Sequence, residues 1–382
     1  VKRVKKKTIV IVINTSWNIY NFRLGLMKAL QEDGYNVVAI APKDNYSEKF
    51  KDHGISYYDI DINSKGTNPL EDAKLVRDLY RLYKTIAPDI ILQYTIKPNI
   101  YGSLAAGMLG IPAVSNITGL GTVFLNDKIS SKIAHILYRI ALNIPKKVYF
   151  QNSHDMELFV ESKFVNAGKA DLIPGSGIDT EKFKPSPRQE EKDTPLRFLF
   201  IARLLKDKGL YEYVRAARII QDSILDDQDL EKPQFFILGA YYPGNPTAIT
   251  ESKMKEWEED GVVSYLGTSD DVKSVIAEYD CVVLPSYREG LSKVLLESAS
   301  MAKPIITADV PGCKEVVDHG VNGFLCEIKS PESLAEQMMK VAALGIEGRE
   351  EMGLNGRAKV INEFDEKIVI KKYLEVIKKL LA

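Results

Sequence analysis

Apolar residues along this chain fall into two patterns that alternate. In one they form short unbroken runs, of which Thr8-Ile-Val-Ile-Val-Ile-Asn14 is the first. A strand exposed on one face alternates apolar and polar positions, so an unbroken run predicts a strand covered on both faces. The same reading makes strands of residues 37–41, 89–93, 113–116 and 147–150. In the other pattern apolar residues recur every three or four positions, which predicts helices over 22–33, 70–86, 99–110 and 128–142. The alternation restarts at Arg197-Phe-Leu-Phe-Ile201 and continues to the last helix, 365–381. Strand–helix alternation with doubly covered strands predicts the α/β class, with a parallel sheet in each half. Pro174, Gly175, Gly177, Pro185, Pro187 and Pro195 cluster with a run of charge, which places a boundary within 174–195.

The richest chemistry lies in Pro285-Ser-Tyr-Arg-Glu289-Gly-Leu-Ser-Lys-Val-Leu-Leu-Glu297. It follows an apolar run (Asp280-Cys-Val-Val-Leu) and turns into a helical stretch that Pro304 stops. Glu289 therefore belongs at the carboxyl end of a strand and Glu297 inside the next helix. Ligands of open α/β sheets bind at that edge. Backbone N–H groups of Gly290, Leu291 and Ser292 suit a phosphate there, with one acid on either side. Two solvated carboxylates on an ordinary α/β unit fit the same spacing. Arg203 and Lys208 stand in a loop after another strand, with Gly209 behind them. Arginine grips a phosphate with two parallel bonds and lysine adds a point charge.

Four motifs in order resemble those of the retaining glycosyltransferases of family 4, and the resemblance spans nearly the whole chain. The Glu289–Glu297 segment resembles the donor-site signature. Residues 198–209 resemble the donor-diphosphate loop, and 173–185 the interdomain segment. Gln234-Phe-Phe-Ile-Leu-Gly239 and Val263-Ser-Tyr-Leu-Gly267 resemble the strands flanking the base pocket. The resemblance implies a GT-B fold, two Rossmann-like domains facing across a cleft. It implies an acceptor-binding domain at 1–175, a donor-binding domain at 176–363, and a last helix (364–382) returning to the first domain. By resemblance Glu297 binds the ribose hydroxyls, Glu289 the donor sugar, and Arg203 and Lys208 the leaving diphosphate of a UDP-sugar. No metal is expected, because protein cations take that role, and no further cofactor.

The first domain departs from the commonest family pattern. Asn14-Thr-Ser-Trp-Asn-Ile-Tyr20-Asn-Phe22-Arg23 replaces a Gly-Gly loop, and Thr118-Gly119 stands where many members carry a histidine. With Lys97-Pro-Asn99-Ile-Tyr-Gly102 these segments resemble a bacterial subgroup that extends undecaprenyl-diphosphate-linked sugars. Tyr20, Arg23, Lys97, Asn99, Thr118 and Gly119 are then the acceptor candidates, and N-acetylgalactosamine is the first guess for the transferred sugar. A UDP-sugar 2-epimerase, a transferase with a soluble acceptor and a non-catalytic nucleotide-sugar binder remain alternatives.

Charge adds one asymmetry. Residues 1–180 hold 23 Lys and Arg against 17 Asp and Glu, and the remainder 28 against 35, although the whole chain is close to neutral. A basic first half favours an anionic acceptor or membrane face. Lys128, Lys132, His135, Arg139, Lys146 and Lys147 flank an apolar stripe of Ile129, Ile133, Ile136, Leu137 and Ile140, as in a helix that lies on a membrane or as in a core helix with a solvated face. No apolar run is long enough to span one. The start of the chain reads as a strand and not as a leader, and three cysteines make no disulfide framework. The expected location is therefore cytoplasmic, peripheral on the inner face of the plasma membrane. No basic–aromatic pattern points to nucleic acid.

Overall fold

The computed structural model describes residues 6–63, 68–119, 129–186, 195–223 and 232–382. The chain divides into two units, one formed by residues 1–176 with 366–382 and the other by 177–365. Each is an α/β layer structure on a fully parallel sheet, as the unbroken apolar runs predict.

The sheet of the first unit comprises β1 (Thr8–Val12), β2 (Asn36–Ala41), β3 (Ser56–Asp59), β4 (Ile90–Tyr94), β5 (Ala113–Ile117), β6 (Lys147–Phe150) and β7 (Ala170–Leu172). Their order across the sheet is β3-β2-β1-β4-β5-β6-β7. Every residue of β1, β4 and β5 is buried. Their alternate side chains feed two cores. Val10, Val12 and Ile91 face one side with Tyr83, Tyr138 and Phe159. Ile9, Ile11, Leu92 and Tyr94 face the other with Leu26, Met27, Val369, Tyr373 and Ile377. The last three lie at four-residue intervals on the helix Glu366–Leu381, which packs its apolar stripe on this sheet after the chain has built the whole second unit.

The second unit contains β8 (Arg197–Ile201), β9 (Gln234–Leu238), β10 (Ser264–Tyr265), β11 (Cys281–Leu284), β12 (Ile305–Ala308) and β13 (Gly323–Cys326), in the order β10-β9-β8-β11-β12-β13. Both sheets thus run outward from a central pair, β1/β4 in one and β8/β11 in the other. The connections from the two central strands go to opposite sides, which opens a crevice above their carboxyl ends.

Two expectations change. The first helix spans Ser16–Glu32 and starts six residues earlier than the periodicity suggests. Thr15 caps it by accepting the Asn18 N–H at 3.1 Å, and the buried Ser16 hydroxyl donates to the Pro42 carbonyl at 2.8 Å. Tyr20 and Arg23 consequently sit on a helix and not in a loop. The segment 99–110 opens with a π-helical turn, Pro98–Gly102, before the helix Ser103–Leu109. Gly102 fits there because a Cβ would stand 2.1 Å from the Gln93 amide oxygen.

Candidate functional site

In the second unit the loops after β8 and β11 leave the two strands at the switch point, and the protein binds them together. The Tyr287 N–H donates to the Asp207 carbonyl at 2.9 Å, and the Tyr287 hydroxyl to Glu212 at 2.7 Å. Gly209 is buried in the left-handed region (φ 77°), where a Cβ would lie 2.1 Å from the Pro285 carbonyl oxygen. Only glycine permits both the conformation and the approach. The outcome is a direct ion pair: Lys208 Nζ lies 2.5 Å from Glu289 Oε1, with the side chains 15% and 18% exposed. Arg203 is exposed in the same loop, its guanidinium 5.0 Å over the ring of Tyr242.

A third loop fixes Glu289. Its N–H donates to the Pro311 carbonyl at 3.1 Å, and the Ser292 N–H to the Gly312 carbonyl at 2.8 Å. Gly312 has φ 83° and comes so close that a Cβ would meet the Glu289 carbonyl oxygen at 2.2 Å. The Ser292 N–H, expected to be open for a phosphate, is therefore already committed, and its hydroxyl caps the helix Lys293–Ser300. Gly290 and Leu291 lie half-buried between these anchors.

Glu297 is in the second turn of that helix and is buried. Its carboxylate accepts no hydrogen bond among the described residues. Burial pushes its pKa up to about 7, while the nearby charges of Lys293 and Lys182 oppose the shift. At neutral pH this group is poised between its two protonation states and has acceptor capacity to spare.

Gly239 follows β9, and a Cβ there would stand 1.7 Å from the Ala202 carbonyl oxygen, so the loop after β8 can lie against it. Its N–H donates to the Gly267 carbonyl and its carbonyl accepts from the Tyr265 hydroxyl, both at 2.8 Å. Gly267 is left-handed (φ 76°) with open space at its Cβ position. Tyr241 meets Tyr265 edge-on at 5.4 Å. The ring pair and the Tyr287–Glu212 contact are features that spacing did not single out, since nothing in the sequence says which tyrosine reaches which neighbour.

In the first unit the acceptor candidates separate. Arg23 is 6% exposed, lies 4.5 Å over the Tyr94 ring and donates to the Phe22 carbonyl at 2.9 Å. It pairs with no carboxylate among the described residues, and its Nε has no hydrogen-bond partner. Tyr373 lies near it; its hydroxyl accepts from the Asn116 amide at 3.1 Å, and the Asn116 amide oxygen accepts from Gln151 at 3.3 Å. Thr95, at the end of β4, holds a positive φ of 65°, rare for a β-branched residue, and its hydroxyl is unpaired. Lys97 is paired: its ammonium is 2.7 Å from Asp72, which also accepts from the Tyr101 hydroxyl at 2.6 Å. Asn99 is buried; its amide nitrogen donates to the Asn116 carbonyl at 2.8 Å, while its amide oxygen has no partner among the described residues. Tyr20 packs among Tyr46, Phe50 and His53. Thr118 and Gly119 follow β5 half-buried, Gly119 at φ 120°.

Lys128 and the side chains of Ile129, Lys132 and Ile133 lie outside the described residues. Of the remaining stripe, Leu137 is half-buried, whereas Ile136 and Ile140 are 61% and 55% exposed, with Arg139 exposed between them; the buried face of the helix is carried by Tyr138 and Ala141. No described helix is long and apolar enough to cross a membrane. Among the described residues no group of three or more His, Cys, Asp or Glu could hold a metal ion.

Comparison with known proteins places these features in a family. Residues 181–359 match the model of glycosyl transferases group 1, and residues 8–152 that of a glycosyl transferase 4-like domain. The chain is 27% identical to the N,N'-diacetylbacillosaminyl-diphospho-undecaprenol alpha-1,3-N-acetylgalactosaminyltransferase of Campylobacter jejuni, over 94% of this chain and 95% of that one. It is 25% identical to the UDP-Gal:alpha-D-GlcNAc-diphosphoundecaprenol alpha-1,3-galactosyltransferase of Escherichia coli, over 88% and 87%. Among solved structures, sucrose-phosphate synthase from Thermosynechococcus elongatus superposes with a TM-score of 0.80 at 18% identity, covering 98% of this chain and 99% of that one. Anabaena HepE in complex with UDP and glucose superposes with a TM-score of 0.76 at 19% identity, covering 97% and 99%. These two likenesses are likenesses of fold.

Proposed function

The chain belongs to the family 4-like glycosyltransferases of the GT-B fold, and from that premise we propose that it moves a hexose or N-acetylhexosamine, N-acetylgalactosamine first among them, from a UDP-sugar to a sugar carried on a polyprenyl diphosphate, with retention. The observation that carries the donor half is the meeting of Lys208 and Glu289 at the β8/β11 switch point, with the uncommitted Glu297 one helix turn beyond. As the glycosidic bond breaks, negative charge grows on the diphosphate and positive charge on the anomeric carbon. Lys208 and Arg203 meet the first, and Glu289 holds the sugar that carries the second. Glu297 accepts from the ribose diol, and Gly239 and Gly267 border the base.

The first unit takes the acceptor. A buried guanidinium without a counter-ion is costly to maintain, and an acceptor diphosphate supplies the missing charge at Arg23. The relatives named for undecaprenyl-diphosphate substrates support this reading through their near full-length similarity. Ile136, Ile140 and Arg139 offer an apolar and cationic contact to an anionic membrane surface, where such acceptors reside.

The test is a mass-spectrometric screen of several UDP-sugars against a short polyprenyl-diphosphate-linked monosaccharide. One sugar residue should be added to the lipid from one donor, with UDP released. A changed UDP-sugar in the absence of acceptor, and no extended lipid, would replace transfer by epimerisation.

A further inference from the structure

Among the described residues Lys208 has one carboxylate within contact, and that carboxylate belongs to the residue placed at the donor sugar. The ion pair is largely shielded from solvent and both its loops are clamped, Lys208 by Gly209 against Pro285 and Glu289 by Pro311 and Gly312. The backbones that carry the two charges are thus held in place, and each charge is the other's near neighbour. A diphosphate that comes to Lys208 therefore sets a second anion beside the Glu289 carboxylate. The repulsion between them is felt at an effective dielectric well below that of water.

A bare nucleotide diphosphate and an intact nucleotide sugar meet this repulsion differently. The sugar brings hydroxyl donors to Glu289, which compensate the carboxylate for sharing its lysine. UDP brings none, so Glu289 faces the terminal phosphate uncompensated. We infer that the Lys208–Glu289 pair discriminates intact donor from spent nucleotide, weakening UDP relative to UDP-sugar and so favouring release of the leaving product. This rests on the donor-site reading above and gives Glu289 a role in ligand choice separate from its contact with the sugar.

Calorimetry on the full chain tests it, with uridine, UDP and UDP-N-acetylgalactosamine as probes and no acceptor present. Glu289→Gln removes the charge with little change of shape. It should tighten UDP by about tenfold, leave uridine unchanged and fail to tighten the UDP-sugar. Glu289→Asp keeps the charge and should not tighten UDP, which guards against an effect of side-chain bulk or of altered folding. UDP affinity unchanged or weakened in Glu289→Gln, or equal tightening of UDP and UDP-sugar, overturns the inference. Lys208→Met separates the two levels. Unaltered UDP affinity in that variant removes the donor-diphosphate assignment itself, whereas weakened UDP binding there with no gain in Glu289→Gln removes only the discrimination.

Discussion

Glu297 combines burial with a missing hydrogen bond, and this has consequences for both binding and stability. Its folded-state pKa of about 7 lies above its ordinary value of 4.5. For a carboxyl group shifted upward, the folded protein holds the proton more tightly than the unfolded chain. The contribution of this one group to stability is therefore greatest below pH 4.5, declines as pH rises toward 7 and is flat above, a total cost of about 3 kcal/mol. Glu297→Gln should remove that decline, which denaturant melts at pH 4.5 and pH 8 would reveal. Ribose hydroxyls donate to the ionised form, so UDP affinity should fall as pH drops below 7, with proton release on binding. Calorimetry in buffers of different ionisation enthalpy would detect the proton, and Glu297→Gln should lose the effect along with much of the affinity. Arg203 and Lys208 should each lower turnover by about 100-fold as alanine variants. Their stabilities should diverge. Arg203→Ala leaves melting nearly unchanged because the side chain is exposed, whereas Lys208→Ala strands the Glu289 carboxylate and costs about 2 kcal/mol. Sequence named all four of these residues, because strand-end loops and motif order are local properties. It did not reveal that Lys208 touches Glu289, or that Lys97 is neutralised by Asp72, because both pairs join residues far apart in the chain.

Loops at the switch point are held by glycines whose value lies in what they allow to approach. Gly312 and Gly320 have similar dihedrals, φ 83° and 79°, but a Cβ on Gly312 would strike the Glu289 carbonyl while one on Gly320 meets nothing within 4 Å. Gly320→Ala should cost about 1 kcal/mol, the strain of the left-handed region alone. Gly312→Ala should cost about 2–3 kcal/mol and displace the loop of Glu289, so its transfer rate should fall while Gly320→Ala keeps wild-type turnover. Equal effects in thermal melts and rate assays would deny the close approach any part in the site. Unbroken apolar runs located β1, β2, β4, β5, β6 and β8 to within about two residues, because strands covered on both faces leave a plain signature. The short β7 and the edge strand β3 were missed. β3 is largely exposed and β7 only half-buried, so neither leaves an apolar run. The early start of the first helix went unseen because its first turn lacks the apolar periodicity and Ser16 gains its partner, the Pro42 carbonyl, only once the fold is formed; the Thr15 cap on Asn18 is the local signal that marks it.

Across the whole molecule, the first unit carries both the candidate acceptor cation and the exposed Ile136–Arg139–Ile140 face. A modest apolar surface with a few cations gives weak, reversible membrane binding. Co-sedimentation with vesicles containing anionic lipid should decrease with salt and should drop when Ile136 and Ile140 become Glu. Binding indifferent to both changes would assign the acceptor to solution or the docking to another face. The return of the chain to its first unit sets an order of events in synthesis. Tyr94 and Tyr149 pack their rings against Tyr373, at 6.2 and 5.4 Å, but Tyr373 is made only after the entire second unit. At about 5–20 residues per second, the first unit waits roughly 10–40 s with one apolar face of its sheet uncovered, while the second unit is complete as soon as it emerges. A nascent chain stopped before residue 366 should therefore show a protease-resistant second unit and a first unit that is cleaved or held by chaperones. Resistance of both halves at that length would mean that the sheet is stable without its last helix.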